Sequence, residues 1–337
     1  MANSEQKTTA SLESNRLAEF TAPVKADLET FDHKLHDYLR GDSPLISSIA
    51  RHLLKSKGKR IRPAFLFLSS RAADNYSEHA VDASLAIELI HTATLLHDDV
   101  VDESDVRRGQ ETVNYKWKNL ISVLMGDYIF AKAFRVMVDT RSMDLISAIA
   151  RATERVSVGE LRQIEETNNY SLSEEEYLEI IADKTASLFN VSCETGPILV
   201  GRDNTERRRF ADFGEKIGIA FQVADDLLDF VGDPKVTGKQ LGNDVLSGKV
   251  TLPLIYSLRN VSEKAGREIT GYLTENGDEE ALDKVQMFIQ ENGGIDYAYR
   301  RANELSEQAL DSLSSVNASE YYESLTGMVR YTVSRAS

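Results

Sequence analysis

Only one cysteine, Cys193, stands among the 337 residues. A lone thiol excludes an internal disulfide and any thiolate metal cluster, which leaves it a small, buried, apolar role. No apolar run reaches the roughly 20 residues that cross a bilayer. The N-terminus shows neither the basic and apolar regions of a secretion signal nor the character of a transit peptide. Basic charge is also short: 39 Lys and Arg stand against 54 Asp and Glu, for a formal charge of -15. That balance argues against nonspecific nucleic-acid binding, which needs many phosphate contacts from cations. It argues equally against electrostatic docking on anionic lipid. Proline is missing between Pro63 and Pro197, and strand-like alternation is weak throughout, so helix is the expectation. The expected molecule is soluble and cytoplasmic, with a flexible polar tail over 1–16 and one all-α domain over 17–337. Neither a nucleic-acid partner nor stable membrane insertion is expected.

Helix signals follow one another along the chain. Apolar residues recur at helical spacing from Leu17 to Leu39, and Gly41-Asp42-Ser43-Pro44 ends that run. A second helix runs from Pro44 to about Leu54. The basic loop Ser56-Lys57-Gly58-Lys59-Arg60-Ile61-Arg62-Pro63 then opens a third, with Pro63 in its first turn. Val81 to His97 is apolar or small on nearly every side and predicts a central, buried helix. Leu120 to Val138 and Leu145 to Val158 repeat the pattern, and Gly126 and Gly159 read as close-packing positions. Ser173 and Glu176 form a capping box at the head of a helix that continues through Lys184-Thr185 towards Gly196-Pro197. Thr205 with Glu206 opens the next helix, and Gly232-Asp233-Pro234 stops it. A glycine- and lysine-containing loop covers Lys235 to Val250, and amphipathic helices follow from Leu252.

Acidic residues carry the chemistry. Asp98-Asp99-Val100-Val101-Asp102 and Asp225-Asp226-Leu227-Leu228-Asp229 repeat one carboxylate spacing. On a helix the three carboxylates of each cluster can point the same way. Like charges at this spacing weaken an isolated helix by a few tenths of a kcal/mol per pair, and by more inside an apolar run unless cations sit among them. A single such cluster is as readily a solvated helix face. Two copies, each at the polar end of an otherwise apolar helix, suggest carboxylates facing each other across a cavity. Oxygen ligands without cysteine favour Mg2+, which completes its shell with water and phosphate oxygens. Cations stand in suitable places: Arg107 and Arg108 after the first cluster, Lys184 before the second, Lys239 and Lys249 after it. Lys59, Arg60 and Arg62 beside a helix N-terminus form a further candidate anion site. Lys59, Arg62 and His91 could hold a second phosphorylated ligand.

In this order the motifs resemble the trans-prenyl diphosphate synthase family, in its all-trans polyprenyl branch. The resemblance runs from about Lys57 to Pro253. It rests on Gly58-Lys59-Arg60-Ile61-Arg62-Pro63, on the first aspartate cluster with Arg107-Arg108-Gly109, on Lys184-Thr185, and on Phe221-Gln222 with the second cluster. Gly238-Lys239-Gln240-Leu241-Gly242-Asn243-Asp244, Gly248-Lys249 and Thr251-Leu252-Pro253 complete it. Lys57 departs from the pattern, where a second glycine is common. The resemblance implies a single large helical bundle of the isoprenoid synthase type with a central cavity, acting as a homodimer. It implies that Asp98, Asp99, Asp102, Asp225, Asp226 and Asp229 hold Mg2+ on the diphosphate of an allylic substrate. Arg107, Lys184, Thr185, Gln222, Lys239 and Lys249 would contact that diphosphate or its surroundings. Lys59, Arg62, His91 and Arg108 would bind the diphosphate of isopentenyl diphosphate. The cations and metal would stabilise charge on the departing pyrophosphate, and water must be kept from the allylic cation. The isopentenyl alkene then attacks and a proton leaves to the released pyrophosphate, so no side-chain nucleophile is needed. His97 is expected to be structural.

Chain length depends on the residues below Asp98 on its helix, chiefly Ala93, Thr94 and Ile90. In short-chain members of the family a bulky aromatic near the Ala93-Thr94 level blocks the tunnel; both residues are small here. A product of about heptaprenyl to decaprenyl length, as in quinone side chains, is expected, with geranylgeranyl or pentaprenyl length as the alternative. A metallophosphohydrolase built on His97-Asp98 would need more histidines in suitable places and leaves the second cluster unexplained. A terpene cyclase would not need the loop around Lys59 and Arg62. A regulatory subunit of a heteromeric synthase should have lost some of the aspartates or cations, and none is lost.

Overall fold

Apolar residues three and four apart bury Phe31, Leu35 and Leu39 on one side of α1 (Lys25–Leu39). In this computed structural model, which describes residues 15–41, 43–56, 58–73, 76–231, 242–275 and 279–334, the chain is helical nearly throughout. Residues 15–21 are already helical and lead through a 3-10 turn, Ala22–Val24, into α1. The Ser43 hydroxyl accepts the Ile46 N–H at 3.1 Å and starts α2 (Pro44–Lys55). The basic loop leads into α3 (Ile61–Ala72), whose residues from Pro63 to Ser70 are all buried.

Helix α4 (Ala80–Val101) is buried on all sides from Ala83 to Ile90, as its composition requires, and opens to solvent in its last turns. A short antiparallel hairpin, β1 (Val106–Arg107) with β2 (Gln110–Glu111), follows it. Then come α5 (Val113–Trp117), α6 (Asn119–Asp139) and α7 (Met143–Glu165). Helix α8 (Glu174–Ile181) starts with the expected capping box and passes through a π turn, Ala182–Ala186, into α9 (Ser187–Leu199).

Helix α10 (Asn204–Val231) carries the second acidic cluster. It starts one residue ahead of the expected Thr205 and is capped by Asp203, whose carboxylate accepts the N–H groups of Thr205 at 2.8 Å and Glu206 at 2.9 Å. Two free N–H groups at a helix start are better satisfied by one carboxylate than by a hydroxyl. The expected stop at Gly232-Asp233-Pro234 lies outside the described residues. Beyond it stand α11 (Asn243–Leu246), α12 (Leu252–Arg259), α13 (Glu263–Glu275), α14 (Glu279–Glu291), α15 (Gly294–Ser312) and α16 (Glu320–Ser334).

Helices α3, α4, α9 and α10 make the centre. Helix α6 packs along α4, α7 along α9, α15 along α10, and α16 against α3. Phe65 of α3 meets Phe189 of α9 and Phe213 of α10 edge-on, with ring centroids 5.8 and 5.9 Å apart. Each such pair adds about 0.5–1.5 kcal/mol beyond its area burial. Gly196 lets α9 touch α3, since a Cβ there would lie 2.4 Å from the Ser70 nitrogen. The C-terminal end of α4 comes close to the segment after α10, where Lys249 lies 3.6 Å from Asp102 and 3.8 Å from Asp244.

Candidate active site

The first cluster sits where α4 ends. Asp102 is its C-cap rather than a residue of its last turn, and its N–H still bonds the Asp98 carbonyl at 2.8 Å. The three carboxylates do not point together. Asp98 and Asp99 are neighbours and so diverge by about 100° around the axis, and Asp99 turns into the protein, buried. There it accepts the Arg107 Nε–H at 2.5 Å. Arg107 is aimed by the hairpin, whose turn places Arg108 at φ 52° and Gly109 at φ 71°. Two left-handed residues in succession suit a tight hairpin turn; Gly109 adopts this freely, and Arg108 does so at a cost. The Asn114 amide donates to the Asp99 and Ser104 carbonyls, both at 3.1 Å, and pins the hairpin to α4.

Asp98 faces α7 and the π turn. Burial pushes its carboxyl up to about 7, and the nearby Glu160 carboxylate adds to the effect against Lys184 and Arg107. Glu160 itself pairs with Lys184, Oε2 to Nζ 2.6 Å. The approach depends on Gly159, where a Cβ would lie 2.3 Å from the Lys184 backbone nitrogen.

The second cluster is anchored differently. Asp226 is buried and accepts from the Tyr177 hydroxyl at 2.6 Å and the Gln222 amide at 2.7 Å. The Thr185 hydroxyl in turn donates to the Gln222 oxygen at 2.8 Å. Burial, then the Asp244 carboxylate, raises the Asp226 carboxyl well above the usual range, while the Tyr177 and Gln222 bonds pull it down. Burial, and then the Asp226 carboxylate, keeps the Tyr177 hydroxyl protonated. Asp229 accepts the Asp244 N–H at 3.0 Å and so caps the short α11. Asp225 is exposed near the C-terminal end of α10.

Lys249 joins the two ends. Its ammonium stands 3.6 Å from Asp102 and 3.8 Å from Asp244. Burial lowers its pKa, but the Asp244 and Asp102 carboxylates more than offset that.

The basic loop gathers beside the hairpin. Lys59 donates to the Tyr331 hydroxyl at 3.0 Å. Arg60, at φ 53°, is tied to Asp32 at 2.8 Å and Glu88 at 3.2 Å, so it anchors the loop. Arg62 lies over the Phe189 ring, 4.8 Å from its centroid, and bonds His91 Nε2 at 3.1 Å. A guanidinium only donates, so Nε2 accepts and the His91 proton belongs on Nδ1. Burial and then Arg62 hold His91 well below the ordinary histidine range, hence neutral. Burial also lowers Arg62 to about 10, and its Nε is buried with no hydrogen-bond partner among the described residues. Gly58 leaves room for Arg108, whose Nη1 lies 3.1 Å from where a Cβ would stand. A cavity of about 110 Å³ opens here, lined by Arg60, His91, Arg107 and Arg108 with Glu88 and Leu95.

Of the chain-length candidates, Ala93 and Ile90 are buried, and half-buried Thr94 donates to the His91 carbonyl at 2.9 Å. His97 turns to α6, its Nε2 3.3 Å from the Val123 carbonyl, in space left by Gly126. Lys239 lies outside the described residues. Glu160, Tyr177 and Asp244 are the residues that sequence reasoning missed. Glu160 followed a glycine read only for packing, Tyr177 followed a capping box, and Asp244 closed a loop motif read for its lysine.

Among the described residues no His, Cys, Asp or Glu side chains are grouped closely enough in threes to hold a metal ion alone. The donor set nevertheless suits Mg2+, whose shell is usually completed by water and substrate phosphate. Among them also, no helix is long and apolar enough to cross a membrane.

A family model described as polyprenyl synthetase matches residues 43–290. The chain is 35% identical over 309 residues to the octaprenyl diphosphate synthase of Haemophilus influenzae, covering 92% of this chain and 94% of that one. It is 35% identical over 317 residues to the all-trans-nonaprenyl-diphosphate synthase (geranyl-diphosphate specific) of Rhodobacter capsulatus, covering 93% and 96%. The crystal structure of a polyprenyl synthase from Caulobacter crescentus, complexed with calcium and isoprenyl diphosphate, superposes with a TM-score of 0.89 at 34% identity, covering 96% and 98%.

Proposed function

We propose that this chain, which belongs to the polyprenyl synthetase family and is a prenyltransferase, condenses isopentenyl diphosphate with an allylic diphosphate into a long all-trans polyprenyl diphosphate. The observation that carries the reading is the meeting of the two acidic ends: Lys249 stands between Asp102 and Asp244, and Lys184 reaches the Glu160–Asp98 side. Two anionic ends bridged by Lys249, with Lys184 beside the first, suit a polyphosphorylated ligand between them.

Asp98, Asp102, Asp225, Asp226 and Asp229 would hold Mg2+, with Asp99 acting through Arg107. When bound, the metal supplies Lewis-acid stabilisation of the leaving pyrophosphate. Lys184, Thr185, Gln222 and Lys249 line the same side and orient the allylic diphosphate, with Lys239 assigned there by the motif alone. Arg62, Arg108, Lys59 and neutral His91 bind the isopentenyl diphosphate on the basic side; the unpartnered Arg62 Nε–H supports an anion there. The side chains around Phe189 and Leu95 keep water from the allylic cation until the alkene attacks. The proton then leaves to pyrophosphate, which Arg107 and the lysines retain.

The relatives named for octaprenyl and nonaprenyl products, with small Ala93 and Thr94 below Asp98, support a long product. Two copies are expected to pair through the exposed apolar residues Leu120, Leu124, Phe134 and Val138 along α6. The deciding experiment incubates labelled isopentenyl diphosphate, farnesyl diphosphate and Mg2+ with the enzyme and measures chain length. A single long product is expected. A short one moves the tunnel floor up, and no elongation with any allylic primer overturns the reading.

A further inference from the structure

We infer that Arg155 is a positioning residue: with Asp183 and Glu215 it holds the π turn so that Lys184 and Thr185 stay aimed at the allylic diphosphate. This inference rests on the reading of the site given above.

A π turn inside a helix is a rare, local widening that needs outside support. Here the Ser187 N–H closes it on the Ala182 carbonyl, and adjacent residues face different helices. Lys184 reaches Glu160 on α7, and Thr185 reaches Gln222 on α10. Arg155 stands on α7 one turn before Gly159, where the turn comes into backbone contact with α7. Its guanidinium spans three elements. Nε donates to Asp183 at 2.8 Å and Nη2 to the Ala182 carbonyl at 3.1 Å, both in the π turn. Nη1 and Nη2 donate to the two Glu215 oxygens of α10 at 3.0 and 2.5 Å. A bidentate fork on one carboxylate with two further bonds fixes geometry far better than a point charge could.

The consequences run to both neighbours. Asp183 directly precedes Lys184. With its carboxylate engaged by Arg155, the Lys184 ammonium remains on the Glu160–Asp98 side. Without Arg155, the Asp183 and Glu215 carboxylates would compete for that ammonium. Glu215 lies two turns before Gln222 on the same face of α10, so the clamp also sets the spacing of the Thr185–Gln222–Asp226 chain. All these Arg155 bonds end on Asp183, Ala182 and Glu215. It therefore acts through the turn and not on substrate.

The test is steady-state kinetics of the full-length enzyme and of Arg155→Met, Arg155→Lys and Glu215→Gln, varying farnesyl and isopentenyl diphosphate separately at saturating Mg2+. Arg155→Met is expected to raise KM for farnesyl diphosphate about tenfold and lower kcat, with KM for isopentenyl diphosphate within about twofold of wild type. Arg155→Lys should recover part of the loss, and Glu215→Gln should shift the same constant less. Unchanged farnesyl kinetics, or equal rises in both KM values, overturn the positioning role while the functional reading stands. If Arg155→Met does not fold, Glu215→Gln carries the test; loss of fold in both makes the cluster purely structural and overturns the inference. A wild-type enzyme that elongates no primer overturns the functional reading and this one with it.

Discussion

Ala93 contributes a single methyl group to the buried side of α4, beneath Asp98. Ala93→Tyr would put an aromatic ring at that level, and the product is expected to shorten to about geranylgeranyl length or less; an unchanged chain-length distribution would sink the tunnel assignment. Asp98 makes a second prediction. A carboxyl raised to about 7 by burial, against a usual 3.8, binds its proton more tightly in the folded protein than in the unfolded one. Its contribution to stability is therefore full below the unfolded pKa and is lost as pH rises through 7. In metal-free protein, Asp98→Asn should remove that loss and gain on the order of 1 kcal/mol at pH 8 after allowance for screening. Thermal unfolding from pH 4 to 8 reads it, and a gain independent of pH would contradict the assignment. At this scale the aspartates, the cations Arg62, Lys184 and Lys249, and His91 could be named as candidates, because two acidic clusters of one spacing beside basic motifs stand out in an apolar chain. Glu160 and Tyr177 were not, because nothing local distinguishes a carboxylate or phenol that meets its partner only across a helix interface.

Among the elements, α8 tests local sequence rules most directly. Ser173 accepts the Glu176 N–H at 3.1 Å, and Glu176 returns a bond to the Ser173 N–H at 2.8 Å. Ser173→Ala should cost about 1 kcal/mol, read as a lower Tm, with weaker activity because Tyr177, one turn on, steadies Asp226. Periodicity revealed α4 and α6 with ends displaced by four residues or fewer, and α7 with its C-terminal end at Glu165, two turns beyond the expected Val158. It could not reveal the hairpin, which depends on Arg108 and Gly109 accepting positive φ, or the π turn, which depends on Arg155 and Gly159 of another helix. The direction of Asp99 escaped for the same reason: spacing said that three carboxylates could align, and Arg107 decided that one would not.

For the whole molecule, an acidic chain exposes an apolar stripe along α6 that its own packing leaves uncovered. Replacing Leu124 and Phe134 together by lysine should convert the proposed dimer into monomer in sedimentation velocity, with helix content unchanged. A dimer that survives would move the interface elsewhere. The all-helical class followed from the shortage of proline and of alternation; the meeting of Asp102 and Asp244 at Lys249 did not.

The bridge from Asp102 through Lys249 to Asp244 joins segments far apart in the chain. Closing it is an event of high contact order, which the folding chain reaches late. The amides of Gly242 and Asp244, bonded to Asp229, should therefore exchange with solvent hydrogen long before those of α4. The catalytic machinery would then be the last part of the molecule to assemble and the first to come apart, and substrate would act on it as a folding ligand.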